Sequence, residues 1–370
     1  MIEFSGCGQE NEFILKETKS EMNEFLSIVA NNKQLRSEIT EILEKKLSNF
    51  GQSSEALSRV VGSATDGLFF SLLSSELEPG SRIGVTAYSF HASASCILRA
   101  GFIPVFIDVD NYGLMDLDSL ENIAENIDGI IIVQLFGNTV NEEKVLSICN
   151  KFNIKLIEDA AQRHTFSKKL LNSHLCVSSV LSFDPNKIFS GIGSGGAVVT
   201  KSQNILKKIT SLRYHGNGCS EEGFNSQLSE SSAWLIIKKI EKFNSWNEKR
   251  RNICVRYNKV ISDHKTKLRS LVDQTNIKDH SLHKYVLVFK NEEDRNCIEE
   301  KLSKDGIKTM VHYRYILPEL PRFIEINKSE SFPNSDYLSR HSLSLPMHAF
   351  IKNDEILKIT SRLSFHLGHL

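Results

Sequence analysis

The 370-residue sequence has no surplus of charge: 45 lysines and arginines face 45 aspartates and glutamates. No overall field therefore draws the chain to nucleic acid or to an anionic membrane. It has no Cys-x-x-Cys pair. Its seven cysteines (Cys7, Cys96, Cys149, Cys176, Cys219, Cys254 and Cys297) are scattered and odd in number. That excludes a disulfide framework and a zinc site, and it predicts reduced thiols in the cytoplasm with no metal. Met1-Ile2-Glu3-Phe4 lacks a charged region followed by an apolar run, so no signal peptide is expected. No apolar stretch is long enough to cross a bilayer. No fixed-period repeat and no low-complexity segment is present.

What the chain does have is rhythm. Residues 9–50 are polar, with Leu35, Ile39, Ile42, Leu43 and Leu47 at helical spacing. This segment is expected to pack on a neighbouring element or on a second subunit. From Arg82 onward strand and helix alternate. The predicted strands are Arg82–Tyr88, Pro104–Val109, Gly129–Phe136 and Ile154–Asp159. The helices between them are His91–Ala100, Asp118–Asn126 and Glu142–Phe152. Near-continuous apolar strands in a β-α-β-α order predict an α/β protein. Its large domain would hold a mostly parallel sheet flanked by helices. In such sheets ligands sit beyond the carboxyl ends of the strands.

Three stretches at those ends carry chemistry. Arg59–Gly67 reads as a strand and then a turn of small hydroxyl residues before the apolar helix at Leu68. Free N–H groups at a helix start suit a phosphate, although Ser63 or Thr65 acting only as an N-cap is the commoner meaning. Asp159 ends an apolar strand, either as an N-cap or as an acid facing a cationic ligand. The third stretch is Ser182-Phe183-Asp184-Pro185-Asn186-Lys187, followed by the small residues Ser190–Gly196 and the strand Ala197–Thr200. Pro185 stiffens the backbone ahead of Lys187, and the glycines admit a close approach. By itself the loop reads equally as a hairpin-like turn with an exposed lysine. An anion cradle, an aromatic plate, an acid and a lysine on one sheet edge match the needs of pyridoxal 5'-phosphate (PLP).

The ordered set of motifs resembles one family. Gly62–Asp66, Tyr88–Ala94, Pro104–Asp110, Ile157–Gln162, Ser182–Lys187, Gly195–Thr200, Gly223–Leu228, Trp246–Arg251, Val311–Tyr313 and Leu343–His348 stand in the order of the DegT/DnrJ/EryC/StrS aminotransferases. These are PLP-dependent sugar aminotransferases of fold type I, in the aspartate aminotransferase superfamily, and the resemblance implies a large-domain sheet of the seven-stranded type. The resemblance implies that Lys187 forms the Schiff base with the cofactor. Asp159 pairs with its pyridinium nitrogen, Gln162 contacts its phenolic oxygen and Phe90 stacks on its ring. Ala64, Thr65 and Ser182 hold its phosphate, and Asn225 reaches that phosphate from the partner subunit of a homodimer. His283, His312 and Tyr313 border the nucleotide-sugar pocket.

The expected activity is transfer of an amino group from an amino acid, L-glutamate, to a nucleotide-linked keto-deoxysugar in surface-polysaccharide or antibiotic sugar biosynthesis. Three other readings stay open: a cyclitol aminotransferase, a PLP-dependent sugar dehydratase and a non-catalytic PLP-binding regulator. Lys187 counts against the dehydratase, in which the family's lysine is replaced, commonly by histidine. Three departures from the family pattern stand out: Ala64 for glycine, Asp184 for histidine or tyrosine, and Gln227 for arginine. The expected division is an N-terminal helical segment (1–50), a large PLP-binding domain (51–245) and a small C-terminal α+β domain (246–370). A helix over Glu230–His264 is expected to link the two domains. In the small domain a strand is expected at Tyr285–Phe289, a helix at Glu292–Asp305 and a strand at Lys308–His312. Trp234 and Trp246 are expected in the core or a dimer contact. His91, His164, His215 and His348 are read as hydrogen-bonded structural residues. The basic residues Lys238, Lys239, Lys242 and Lys249-Arg250-Arg251 are read as a solvated helix face.

Overall fold

A computed structural model of the chain describes residues 1–31, 38–51, 55–217, 222–275, 277, 280–326 and 330–370. Leu35 and Cys219 lie outside the described residues. The other six cysteines are free thiols. None of the described helices is long and apolar enough to cross a membrane.

Seven strands form one sheet: β1 (Leu57–Val61), β2 (Arg82–Thr86), β3 (Ile103–Ile107), β4 (Gly129–Val133), β5 (Lys155–Asp159), β6 (Cys176–Ser182) and β7 (Gly196–Thr200). Their order across the sheet is β1-β7-β6-β5-β4-β2-β3, and β7 alone runs against the others. Every residue of β4 is buried, as a parallel strand covered on both faces requires. Helices α1 (Cys7–Glu17), α2 (Lys19–Asn31) and α3 (Glu38–Phe50) precede the sheet. Its crossovers are α4 (Ala64–Leu73), α5 (Ala92–Arg99), α6 (Leu117–Ile123), α7 (Glu142–Phe152) and the single-turn α8 (Lys168–Leu171). Beyond β7 lies α9 (Gln203–Leu212). Local chemistry sets the helix starts. Ser63 and Asn141 accept the N–H of the residue three positions on, each at 3.1 Å, and so cap α4 and α7. Helix α7 stops at Asn153, which turns left-handed at φ 55°.

The 34-residue helix α10 (Glu230–Asp263) runs unbroken past residue 245 and spans about 50 Å. A second sheet follows in the order β10-β9-β8, made from β8 (Leu268–Ser270), β9 (Tyr285–Phe289) and β10 (Ser342–Leu345). It is packed by α11 (Glu292–Lys304), α12 (Pro333–His341) and α13 (Asn353–Gly368). Its core gathers Tyr257, Leu287, Phe289, Ile298, Leu345 and Leu363. The expected strand Lys308–His312 is absent. Only Met310 bridges to Ser344, because the hydroxyl of Tyr88 takes the carbonyl of His312 and turns the segment toward the large sheet.

The solvated basic face expected on α10 is a second correction. Lys239 is fully buried and Arg250 nearly so, both against Glu10 of α1, while Lys238 and Lys242 pair with Glu21 and Glu17. Helices α1 and α2 bring these acids to cover the face. The N-terminal segment thus packs within its own chain. Trp234 and Trp246 pack in the same seam with Ile14 and Phe25, as core residues.

Candidate active site

The carboxyl ends of β1, β2, β4, β5 and β6 open into one cleft of about 640 Å³. Ten of the eleven expected site residues line it: Ala64, Thr65, Phe90, Asp159, Gln162, Ser182, Lys187, His283, His312 and Tyr313. The eleventh, Asn225, is exposed and outside the cleft, where Gln227 donates to its Oδ1 at 3.4 Å. Of the four histidines read as structural, His164 stacks on Phe243 at 4.3 Å and bonds Ser281 at 2.7 Å, and His348 bonds the carbonyl of Glu3. His91, by contrast, is a lining residue of the cleft.

The turn before α4 is built to keep donors free. Ser63 spends its hydroxyl on the Asp66 N–H, so the amides of Ala64 and Thr65 have no partner inside the helix. Ser226 locks the turn by accepting from the Gly62 N–H at 2.9 Å and donating to Asp66 at 2.8 Å. Gly196 of β7 presses on its back. A Cβ there would lie 2.5 Å from the Ala64 nitrogen, so no other residue fits without moving the turn. Ala64 itself lies on the lining of the cleft and packs against the core of the large sheet.

Asp159 ends β5 and is 5 % exposed. Its Oδ2 accepts from Ser93 at 2.8 Å and its Oδ1 from the Ala161 N–H at 3.1 Å. Burial nonetheless raises its pKa, against those two bonds and the positive charge of Lys187. Lys187 follows a tight turn in which its N–H reaches the Asp184 carbonyl at 2.9 Å. Its ammonium has no hydrogen bond or ion pair among the described residues. Burial lowers its pKa, opposed by Asp159 and Asp184. Asp184 lines the cleft, and its side chain also holds the Asn186 N–H at 3.0 Å.

Gln162 is held on three sides. It accepts from the Phe136 N–H at 2.9 Å, donates to the Tyr313 hydroxyl at 3.1 Å and lies 3.3 Å from His283 Nδ1. His283 is anchored by its Nε2 to the Asn186 carbonyl at 2.9 Å, and His312 by its Nδ1 to Ser344 at 2.9 Å. Burial keeps both imidazoles neutral, His312 with a pKa of about 3 and His283 well below the usual value. Phe90 is 44 % exposed at the mouth, its ring 6.3 Å from that of Tyr313.

Of the lining residues that the sequence reading did not name, two bear on the chemistry. Ser93, the partner of Asp159, sits inside the quoted motif Tyr88–Ala94 and could have been found there. Lys284 directly precedes an apolar strand, where a lysine reads as a solvated flank. Only the fold turns that flank inward.

A sheet of this order, with a lysine and a buried acid at its carboxyl edge, defines a PLP enzyme of fold type I. The chain belongs to the DegT/DnrJ/EryC1/StrS aminotransferase family, whose profile matches residues 15–364. It is 26% identical over 317 residues to a "pleiotropic regulatory protein" of Geobacillus stearothermophilus, covering 83% of this chain and 84% of the relative. It is 26% identical over 307 residues to the dTDP-3-amino-3,6-dideoxy-alpha-D-galactopyranose transaminase of Aneurinibacillus thermoaerophilus, covering 81% and 82%. Among solved structures, DesV of S. venezuelae shares the fold with a TM-score of 0.86 at 20% identity, over 97% of this chain and 98% of that one.

The family's cofactor is PLP, and the residues present fit it. The unpartnered amides of Ala64 and Thr65 at the start of α4 suit its phosphate. The buried carboxylate of Asp159, which lacks an ion pair among the described residues, suits a ring cation. The unpaired amine of Lys187 suits its aldehyde.

Proposed function

We propose that the protein transfers the amino group of an amino acid, L-glutamate, to a nucleotide-linked keto-deoxysugar. The observation that carries this reading is the unpaired, half-buried Lys187 in the same cleft as the buried carboxylate of Asp159. When bound there, PLP supplies an electron sink for the carbon that bears the amino group. The chain's own residues do the rest. Lys187, whose pKa burial lowers, would take the proton from that carbon and carry it to the cofactor's side. Asp159, fixed by Ser93 and Ala161, keeps the ring nitrogen protonated. Ser182, the Thr65 hydroxyl and the free amides of Ala64 and Thr65 at the start of α4 would hold the phosphate. Gln162 presents an oriented amide to the ring oxygen, and Phe90 covers the ring at the mouth. His283, His312 and Tyr313 form a neutral, hydrogen-bonding wall suited to sugar hydroxyls. The dTDP-sugar transaminase among the relatives supports the acceptor class.

The exposed Asn225 is read as serving the phosphate of a neighbouring subunit's site, in a cytoplasmic homodimer. Sedimentation at the mass of one 41.8 kDa chain overturns that reading. The expected three-part division of the chain is kept on the same footing, with α10 as the link between its second and third parts.

The test is the absorbance spectrum of the purified protein with PLP, before and after L-glutamate. A visible band from lysine-bound PLP that bleaches on adding glutamate supports transamination, and keto-sugar nucleotides are then screened to restore it. The relative named as a regulatory protein keeps one second reading in play, a PLP-binding regulator. A band that ignores every amino donor favours that reading over the enzyme.

A further inference from the structure

The cleft contains a second lysine that the reaction chemistry leaves unused. Lys284 lines the cleft and is 8 % exposed. Its ammonium has no hydrogen bond and no ion pair among the described residues. The centre of the Phe4 ring lies 4.8 Å from its Nζ. Phe4 is itself fixed: its ring lies 5.8 Å from that of His312, and Ile2 bridges to Ile307. The lysine is thus clamped between a hydrophobic strap and the cleft instead of swinging free in solvent. An ammonium withdrawn from water without a carboxylate is costly to keep, so its place has to be explained by what it meets when the cleft fills.

Apart from the phosphate turn at Ala64 and Thr65, the described residues give the cleft few groups to meet an anion. Among its lining residues Lys187 and Lys284 are the cationic side chains, and Lys187 is committed to the cofactor. His283 and His312 are neutral. Asp184 and Glu10 attract Lys284, but neither forms an ion pair with it among the described residues. Geometry puts Lys284 beside the reacting lysine: His283, the residue before Lys284, bonds the carbonyl of Asn186, the residue before Lys187, at 2.9 Å, and both lysines line the cleft.

We infer that Lys284 binds the carboxylate of the amino donor, so that the donor is an α-amino acid rather than a simple amine. The inference rests on the function proposed above. Nearness to Lys187 selects the donor over the acceptor. In an amino acid the carboxylate is one bond from the carbon that reacts, whereas the phosphates of a nucleotide sugar lie several bonds away across the ring. Burial beside Phe4 strengthens the contact, because a charge-assisted hydrogen bond gains where water is excluded.

The test uses glutarate, a dicarboxylate with no amino group, titrated calorimetrically into PLP-loaded protein, together with the concentration dependence of the L-glutamate half-reaction. Lys284→Met is expected to weaken glutarate binding and to raise the glutamate concentration at half-maximal rate by at least about tenfold, the loss of one hydrogen bond to a charged group. The limiting rate and the lysine-bound PLP band should stay close to wild type. Equal glutarate affinity in wild type and variant overturns the inference. So does a defect confined to the keto-sugar half-reaction. If the methionine variant does not fold, Lys284→Gln is measured in the same way. A wild type with no PLP band defeats the function reading instead. In that case the glutarate comparison on cofactor-free protein still decides the role of the lysine.

Discussion

Two regions of this molecule bury lysine, and they treat it in opposite ways. In the seam between α1 and α10, Lys239 is fully buried and satisfied: it donates to Ser190 at 2.5 Å and lies 3.7 Å from Glu10, which also holds Arg250 at 3.2 Å. At the mouth of the large sheet, Lys187 and Lys284 have no such partners. The same ammonium group is structural cement in one place and a waiting reagent in the other. Burial alone does not separate the two, since it lowers the pKa of all three lysines. What separates them is whether the chain provides the counter-charge or leaves it to a ligand.

The largest effect is expected where the unsatisfied lysine does chemistry. Lys187→Ala removes the amine that bonds the cofactor and moves the proton, so turnover should fall to background while the far-ultraviolet circular dichroism is unchanged. Transamination at the wild-type rate in that variant would break the contrast with Lys239 at its root. Asp159→Asn comes next. It keeps the size and the hydrogen-bonding reach of the side chain but removes the charge facing the ring nitrogen. PLP should still bind, with activity down by several orders of magnitude in a steady-state assay. Near-normal rates would mean that the buried acid only caps the loop at Ala161.

In the satisfied region the expected loss is of stability, not of chemistry. Glu10→Ala strands Lys239 and Arg250 together without a counter-charge, which should cost about 3–5 kcal/mol in denaturant unfolding. The variant should still show the lysine-bound PLP band, since Glu10 does not line the cleft. Adding Lys239→Met to it should recover part of the loss, because a methionine needs no counter-ion in that seam. A double variant no more stable than the single one would show that Glu10 acts through something other than the charges it faces.

The sequence made the reactive region more legible than the cemented one, for a physical reason. The site is built from strand ends, and each strand announces itself by a continuous apolar run with a polar residue at its close. Asp159 after Leu156-Ile157 and Ser182 after Val180-Leu181 are legible in that way. The helix α10 was also visible, from Glu230 to one residue past its end at Asp263. Its burial pattern was not. Lys239 and Arg250 sit on a face that periodicity assigns to solvent, and only the long-range packing of α1, more than 200 residues earlier, supplies Glu10 to it. Lys284 escaped for the same reason, since nothing local says that the residue before β9 faces the cleft. The segment Lys308–His312 looked like a strand by composition, yet the hydroxyl of Tyr88 claims the carbonyl of His312. Local pattern reports which surfaces are apolar. It does not report which distant polar group will arrive.

The smallest effect sharpens the comparison from its other side. Lys242 sits one turn beyond Lys239 on α10 and pairs with Glu17 of α1 at 3.0 Å, with both side chains between a third and a half exposed. By sequence the two lysines are alike, three residues apart on one amphipathic helix. In the structure water screens one and is excluded from the other, so Lys242→Ala should cost no more than about 1 kcal/mol, and less still at high salt. Denaturant unfolding at low and high ionic strength measures both quantities. A loss as large as that of Glu10→Ala, or one that salt leaves untouched, would mean that α1 is held to α10 by the whole row of charges rather than by the buried group. Burial would then no longer separate cement from decoration.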